Sequence, residues 1–137
     1  LKSIFKLSQI FSKKMIKNKI KGNIINISSQ LGHVGAYNRT AYCMTKFGLE
    51  GLTKSMALDL SKYGIRVNTI APTKTLVSKE ELYKTKKRLS IIKSKIPLGK
   101  FSTVEEIAGI AYFLTTTVAA SITGTSIISD GGWTSGK

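Results

Sequence analysis

The sequence predicts an α/β domain in which helices cover both faces of a small parallel sheet. Residues 23–28 have the near-continuous hydrophobic pattern of a strand buried on both sides, 65–71 are a second apolar and β-branched strand, and a third strand is predicted over 123–129. Segments with helical periodicity lie between them, and parallel strands need such crossovers. The predicted order is therefore α-β-α-β-α-α-β, which corresponds to half of an open α/β domain.

The first predicted element is a helix that ends near Lys21 and Gly22. Its apolar residues recur at helical spacing with lysines between them; they are Ile4, Leu7, Ile10, Phe11, Met15 and Ile16. The chain begins with Leu1 inside this pattern and without a capping residue, which favours a piece of a longer protein. Strands this apolar also need further partners at the sheet edge, which supports the same interpretation.

A second helix is predicted between the first two strands. Thr40 is of a residue type that caps helices, and Gly64 is of the type that ends them. The predicted apolar face of this helix contains Phe47, Leu49, Leu52, Met56, Leu58 and Leu60. Pro72 ends the second strand because it cannot donate a ladder hydrogen bond.

The remaining helices follow the second strand. One or two are predicted between about 78 and 93, within a lysine-rich segment. Thr103 is predicted to cap a helix over 104–115, in which Glu105 and Glu106 suit the positive end of the helix dipole. The glycines of D-G-G, after the third strand, predict a turn.

The composition argues against several functional classes. The formal net charge is +15, but 19 of the 22 basic residues are lysines dispersed on predicted helix faces, without interleaved aromatic residues. A nucleic-acid site would draw more on arginine, so no nucleic-acid partner is expected. No apolar run reaches the roughly 18 residues of a membrane helix, and no signal peptide is recognisable. The single cysteine, Cys43, excludes an internal disulfide and fits a reducing, cytoplasmic location.

Two tyrosine–lysine pairs have the same i, i+4 spacing: Tyr42 with Lys46, and Tyr83 with Lys87. Residues at this spacing share a helix face, but lysine is common enough here for one such pair to arise by chance. Their positions separate them. Tyr42 lies thirteen residues after Ser29, at the end of the first predicted strand, whereas no strand-end serine precedes Tyr83.

Together the motifs closely resemble the short-chain dehydrogenase/reductase family, of the common oxidoreductase type. They are N-I-I-N-I-S-S-x-x-G, the Tyr42 and Lys46 pair, I-R-V-N-T-I-A-P, I-T-G and D-G-G, in the family's order over nearly the whole chain. The resemblance covers the family's C-terminal half only. It implies the C-terminal part of a Rossmann-like doubly wound parallel sheet, with residues 1–137 as the catalytic half of a single domain and the nucleotide-binding half absent.

The resemblance assigns Ser29, Tyr42 and Lys46 as the catalytic residues. A carbonyl that accepts hydride develops negative charge on oxygen and needs a proton. A tyrosine phenol has an unperturbed pKa of about 10, which a lysine cation one helical turn away is expected to lower. Tyr42 would then act as general acid in reduction and general base in oxidation, while Ser29 would hold the substrate oxygen toward it. Lys46 would also bind the nicotinamide ribose, and Ser28 would support the strand end.

The resemblance also implies a nicotinamide cofactor, NAD or NADP. The residues expected to bind it are Tyr42, Lys46, Pro72, Thr73 and Thr75. The family usually has glycine and threonine where this chain has Thr73 and Val77, so Thr75 or Ser78 could take the place of the threonine.

Residues around the loop after the first strand are expected to contact substrate. They are Ser29, Gln30, Tyr37 and Arg39. Arg39 would suit a hydroxylated or anionic compound. His33, the single histidine, is expected to be either a surface loop residue or part of the substrate mouth, and no metal site is expected because it has no partner ligands.

The implied function is an NAD(P)-dependent oxidoreductase that interconverts an alcohol and a ketone or aldehyde. The substrate stays open between sugars or polyols and 3-oxoacyl compounds. The alternative is an inactive fragment, or a non-catalytic binding protein that retains the fold, and the isolated polypeptide is expected to be inactive. Family members commonly form tetramers, so the resemblance also implies a homo-oligomer, either a tetramer or a dimer, and no membrane partner.

Overall fold

The computed structural model describes residues 1–76 and 86–136, without the side chains of 86–88. Its centre is a sheet of three parallel strands in the order β1 (Asn23–Ile27), β2 (Arg66–Pro72) and β3 (Ser126–Ser129). In the register, Asn23 lies opposite Arg66 and Thr69 opposite Ser126. The predicted α/β architecture with a parallel sheet is confirmed.

Within residues 1–76 and 86–136, four helices connect and flank these strands. They are α1 (Lys2–Lys17), α2 (Thr40–Ser61), α3 (Lys86–Lys93) and α4 (Val104–Thr115), with short 3₁₀ turns at Gln30–Gly32 and Thr117–Ala119. Their order along the chain agrees with the prediction for the described residues. Val77, Ser78 and Tyr83 lie outside the described residues, as does the side chain of Lys87.

The hydrophobic core lies on both faces of the sheet. Because side chains alternate across a strand, Val67 and Ile70 of β2 point to opposite faces. Val67 packs in a cluster with residues of α2 such as Met56 and Leu60, and Ile70 packs in a second cluster with Leu114 of α4. Helices therefore cover both faces, as buried parallel strands require.

The face that α2 presents to the sheet differs in part from the prediction. Leu49, Met56 and Leu60 are buried, but Phe47 and Leu58 are 48% and 79% exposed. The helical period explains the error, because positions 46, 50, 53, 57 and 60 form one stripe and 47 and 58 lie about 100° away from it. That stripe contains two buried polar residues, Glu50 and Thr53, which the hydrophobic pattern did not indicate.

The two predicted helix caps have different outcomes. Arg39 occupies the N-cap position of α2 without a side-chain cap, so the prediction for Thr40 is wrong. The chain turns through Asn38, at a φ of 56°, and Thr40 is already helical. The cap of α4 is confirmed: Thr103 Oγ1 accepts from the Glu106 amide at 3.2 Å, and Glu106 Oε2 accepts from the Thr103 amide at 2.9 Å.

Candidate active site

A cleft of about 1180 Å³ opens at the carboxyl ends of β1 and β2, beside the start of α2. Ligands gather at this edge in open α/β sheets because loops and helix starts converge there. The predicted site residues that line the cleft are Ser29, Gln30, Tyr37, Arg39, Tyr42, Pro72, Thr73 and Thr75. Residues that are separate in sequence are thus brought to one place.

Tyr42 and Lys46 lie one turn apart on α2. The Lys46 ammonium nitrogen is 5.6 Å from the centre of the Tyr42 ring, a distance at which a cation interacts with an aromatic group. The same nitrogen donates to the carbonyl oxygen of Ile27 at 2.9 Å, at the end of β1. This bond fixes the lysine against the sheet; Tyr42 lines the cleft, whereas Lys46 is not among its lining residues.

Ser29 follows β1 in an extended conformation and begins the 3₁₀ turn. Its Oγ accepts from the Leu31 amide at 3.2 Å and donates to Gln30 Oε1, also at 3.2 Å. The next glycine lets this turn approach α2, because a Cβ on Gly32 would lie 3.0 Å from Ser28 Oγ and 3.2 Å from the Lys46 carbonyl oxygen. Close packing of the turn against α2 therefore explains the glycine of the S-S-x-x-G motif.

The loop after β2 carries the residues expected to bind a cofactor. Pro72, Thr73 and Thr75 all line the cleft. Thr73 is buried, and its hydroxyl has no hydrogen-bond partner among the described residues. An unpaired buried hydroxyl is costly unless a ligand or water satisfies it, so this position fits a polar group such as a carboxamide.

The residues expected to contact substrate differ in exposure. Gln30 is buried in the cleft floor, where it accepts from Ser29. Tyr37 is 99% exposed, and Arg39 is exposed beside it. Both line the cleft from exposed positions.

The cleft also has a wall that the sequence did not predict. This wall consists of Ile92 from α3, Lys95 from the turn after α3, and Trp133 from the D-G-G-W segment near the end of the chain. Trp133 packs against the apolar cluster that contains Ile92. The sequence signal that could have indicated this wall is an aromatic residue directly after the two turn glycines of D-G-G-W.

Asp130 braces the turn that carries Trp133. Its carboxylate accepts from the Gly132 amide at 2.9 Å and from the amide and hydroxyl of Thr134 at 2.8 and 2.7 Å. Burial acts to raise the pKa of Asp130, but the hydrogen bonds from Thr134 and Gly132 outweigh it and hold the pKa below its ordinary value. Gly131 and Gly132 have φ angles of 65° and 90°, which confirms the predicted turn.

His33 does not line the cleft, so the substrate-mouth alternative is wrong; it follows the 3₁₀ turn, as the surface-loop alternative expected, with its side chain 26% exposed. Its Nε2 lies 3.3 Å from Glu50 Oε1 and 3.0 Å from Ser126 Oγ. The partner contacts draw the ring inward, between α2 and β3. Glu50 was missed although it lies four residues after Lys46, on the same helix face.

Residues 1–76 and 86–136 contain no group of three or more histidine, cysteine, aspartate or glutamate side chains that could hold a metal ion. In the same ranges, no helix combines the length and apolar character needed to cross a bilayer.

Serine, tyrosine and lysine side chains thus lie near the carboxyl edge of a parallel α/β sheet. A family model described as enoyl-(acyl carrier protein) reductase matches residues 1–134. With the relatives below, this match shows that the chain belongs to the short-chain dehydrogenase/reductase family.

Three similar proteins illustrate the match. Carbonyl reductase [NADPH] 2 of Sus scrofa is 37% identical over 134 residues, which are 97% of this chain and 55% of that protein. The 3-oxoacyl-[acyl-carrier-protein] reductase of Buchnera aphidicola is 42% identical over 96% of this chain and 53% of its own length. A structure of 4-hydroxyisoleucine dehydrogenase complexed with NADH superposes with a TM-score of 0.92 at 38% identity, over 100% of this chain and 57% of that one. The chain thus spans about half the length of the relatives it matches.

Proposed function

We propose that the protein acts as an NAD(P)-dependent oxidoreductase that interconverts an alcohol and a ketone or aldehyde, with Tyr42 as general acid and base. The observation that carries this proposal is the placement of Lys46. Its ammonium nitrogen donates to the Ile27 carbonyl oxygen at 2.9 Å and lies 5.6 Å from the centre of the Tyr42 ring. A cation in this position stabilises a phenolate, which is the form that Tyr42 takes after it donates its proton.

Ser29 would orient the substrate. The Leu31 amide fixes the position of its Oγ, while its hydroxyl hydrogen points to Gln30 Oε1. A substrate oxygen that replaces the Gln30 oxygen as acceptor would receive this hydrogen bond and would lie on the same side of the cleft as Tyr42. Donors that are fixed in advance stabilise the developing negative charge most effectively.

The cofactor-binding residues would be Tyr42, Lys46, Pro72, Thr73 and Thr75, which hold a nicotinamide nucleotide, NAD or NADP. The unpaired Thr73 hydroxyl supports this assignment, because it offers a hydrogen bond to a carboxamide. The nucleotide supplies the hydride in reduction and accepts it in oxidation. The chain's own part is to orient substrate through Ser29 and to deliver the proton from Tyr42.

The substrate we propose is a small carbonyl or alcohol compound, with Gln30, Tyr37 and Arg39 as contacts. An anionic or hydroxylated substituent would suit Arg39 at the cleft wall. The similarity to 3-oxoacyl and carbonyl reductases supports both 3-oxoacyl compounds and smaller carbonyls as candidates.

Residues 1–137 would form the C-terminal catalytic half of one domain. Two observations support this: β1 pairs only with β2 within the described residues, and the chain spans about half of its relatives. We also propose a cytoplasmic homo-oligomer, dimer or tetramer. Exposed apolar side chains on α1 and α4, among them Phe11 and Tyr112, support an oligomer, and the free Cys43 fits a reducing location.

Two experiments on the full protein test the proposed function. The first measures binding of NADH and NADPH by titration. The second measures the loss of reduced-nicotinamide absorbance when sugar, 3-oxoacyl or simple carbonyl compounds are added. We expect binding of at least one nucleotide and carbonyl-dependent oxidation of it. Tyr42→Phe should lower turnover by about 100-fold to 10,000-fold with nucleotide affinity nearly unchanged.

The matched control is Tyr112→Phe, at an exposed tyrosine of α4, which should leave turnover unchanged. Full turnover by Tyr42→Phe would refute the assignment of the proton donor. Failure to bind either nucleotide would instead favour the alternative, a non-catalytic binding protein or inactive fragment that retains the fold.

A further inference from the structure

Glu50 is a buried carboxylate in a strongly basic chain. The sequence has only seven acidic residues, and Glu50 is 8% exposed, on the stripe of α2 that faces the sheet. Removal of a carboxylate from water costs several kcal/mol unless partners replace its hydration. The contacts of Glu50 therefore show what holds it there.

Each carboxylate oxygen of Glu50 contacts a different residue. Oε2 accepts from the Thr69 hydroxyl of β2 at 2.7 Å. Oε1 lies 3.3 Å from His33 Nε2, a close contact rather than a hydrogen bond, and Oε1 has no hydrogen-bond partner among the described residues.

His33 belongs to the segment that positions Ser29. Its amide donates to the Gln30 carbonyl oxygen at 3.0 Å and so closes the 3₁₀ turn that Ser29 begins. The ring of His33 also lies 3.0 Å from Ser126 Oγ of β3. The imidazole thus ties the turn to both α2 and the sheet.

Glu50 also belongs to the helix that carries the other two catalytic candidates, Tyr42 and Lys46. It lies one helical turn after Lys46 and two turns after Tyr42 on the same stripe. A single carboxylate therefore joins the turn that carries Ser29 to the helix that carries Tyr42 and Lys46. The lining of the cleft includes neither Glu50 nor His33, so a substrate in the cleft would not contact these two side chains directly.

We propose that Glu50 and His33 are a positioning pair that holds the Ser29 turn in register with Tyr42 and Lys46. The consequence for turnover rests on the proposed function, whereas the mechanical link does not. Reaction rates depend steeply on the relative position of groups that act together, and a displacement of about 1 Å can cost about 100-fold.

The link itself is tested by amide hydrogen exchange in the full protein, which requires no activity. In Glu50→Gln and His33→Leu, the amides of Gly32 and His33 should exchange at least about tenfold faster than in the parent, while those of α4 stay unchanged. The control Glu105→Gln, the same substitution at an exposed position of α4, should change neither set. Unchanged exchange in the Ser29 turn of both variants would overturn the proposal.

The catalytic consequence is tested by kinetics on the same variants. Glu50→Gln and His33→Leu should each lower kcat by about tenfold or more with the KM for the nucleotide within about twofold, and the double variant should be no worse than either single one. His33→Gln, which keeps a donor near the Nε2 position, should recover most of the loss. The positioning role would be contradicted if the kcat loss of the double variant equalled the product of the two single losses, or if His33→Leu kept the full kcat of the parent. A parent without carbonyl reduction would refute the proposed function, and hydrogen exchange would still decide the link.

Discussion

The two halves of α2 are held to the sheet by different kinds of contact. The half near the cleft is fixed by hydrogen bonds: Lys46 to the Ile27 carbonyl, Glu50 to Thr69, and Thr53 to Asn26. The distant half is fixed by apolar packing of Met56, Ala57 and Leu60 in one core cluster. Both halves belong to one stripe of the same helix.

The difference shows how one helix can serve stability and geometry separately. Apolar burial contributes most of the folding free energy but is non-directional. Hydrogen bonds contribute less net free energy, but they fix distance and angle. The polar contacts lie where Tyr42 and Lys46 need fixed positions, and the apolar contacts lie where position matters less. Two changes in α2 test this comparison, and a third tests a polar contact outside this helix.

The largest effect is expected for Leu60→Ala in the apolar half. Leu60 is buried, so the variant should lower the free energy of unfolding by about 3 kcal/mol. Leu58→Ala, two residues away and 79% exposed, should change it by less than about 0.5 kcal/mol. Urea unfolding measures both, and equal losses would contradict the assignment of faces.

A smaller effect is expected for Asp130→Asn, across the cleft from α2. Loss of the charge weakens the hydrogen bonds from Gly132 and Thr134, at a cost of about 2 kcal/mol near neutral pH. The folded-state pKa of Asp130 is lowered, so its stabilisation is fully present above the ordinary aspartate pKa of about 4 and is lost as the pH falls through the lower folded-state pKa.

The measurement for Asp130 is urea unfolding of parent and variant between neutral and acidic pH. The difference between the two should shrink on acidification. Asp59→Asn, at an exposed position of α2, serves as the control and should give a small difference at every pH. A difference for Asp130→Asn that grows toward acidic pH would contradict the sign.

The smallest effect is expected for Thr53→Val in the polar half. The substitution keeps the shape but removes the oxygen that accepts from Asn26 Nδ2 at 3.0 Å, so the buried amide loses a partner. The expected loss is about 1 kcal/mol in urea unfolding. Thr115→Val, at an exposed position of α4, should have almost no effect. A loss as large as that of Leu60→Ala would remove the distinction between the halves.

Much of the fold follows from local pattern. The three strands, the Thr103 cap and the D-G-G turn depend on short-range rules, and the structure agrees with each. The cleft also brings Ser29 and Tyr42 together as the family motifs predicted. Their chemical roles remain proposals.

The contacts that sequence pattern missed are long-range and polar. His33 and Glu50 are 17 residues apart in sequence and meet only because the turn after β1 packs on α2. Trp133 follows β3 in the chain and lines the same cleft as Ser29, although the two residues are far apart in sequence. Hydrophobic periodicity marks apolar faces, so it also misplaced Phe47 and Leu58 and gave no sign of a buried carboxylate.

The central claim is that Lys46, held by the Ile27 carbonyl, supports proton transfer by Tyr42. The most direct measurement compares turnover of Lys46→Met with that of Lys54→Met, an exposed lysine of the same helix, in the full protein with a nicotinamide nucleotide and a carbonyl substrate. Lys46→Met should lose about 100-fold or more of kcat, whereas Lys54→Met should match the parent. Equal turnover of Lys46→Met and the parent would contradict the claim.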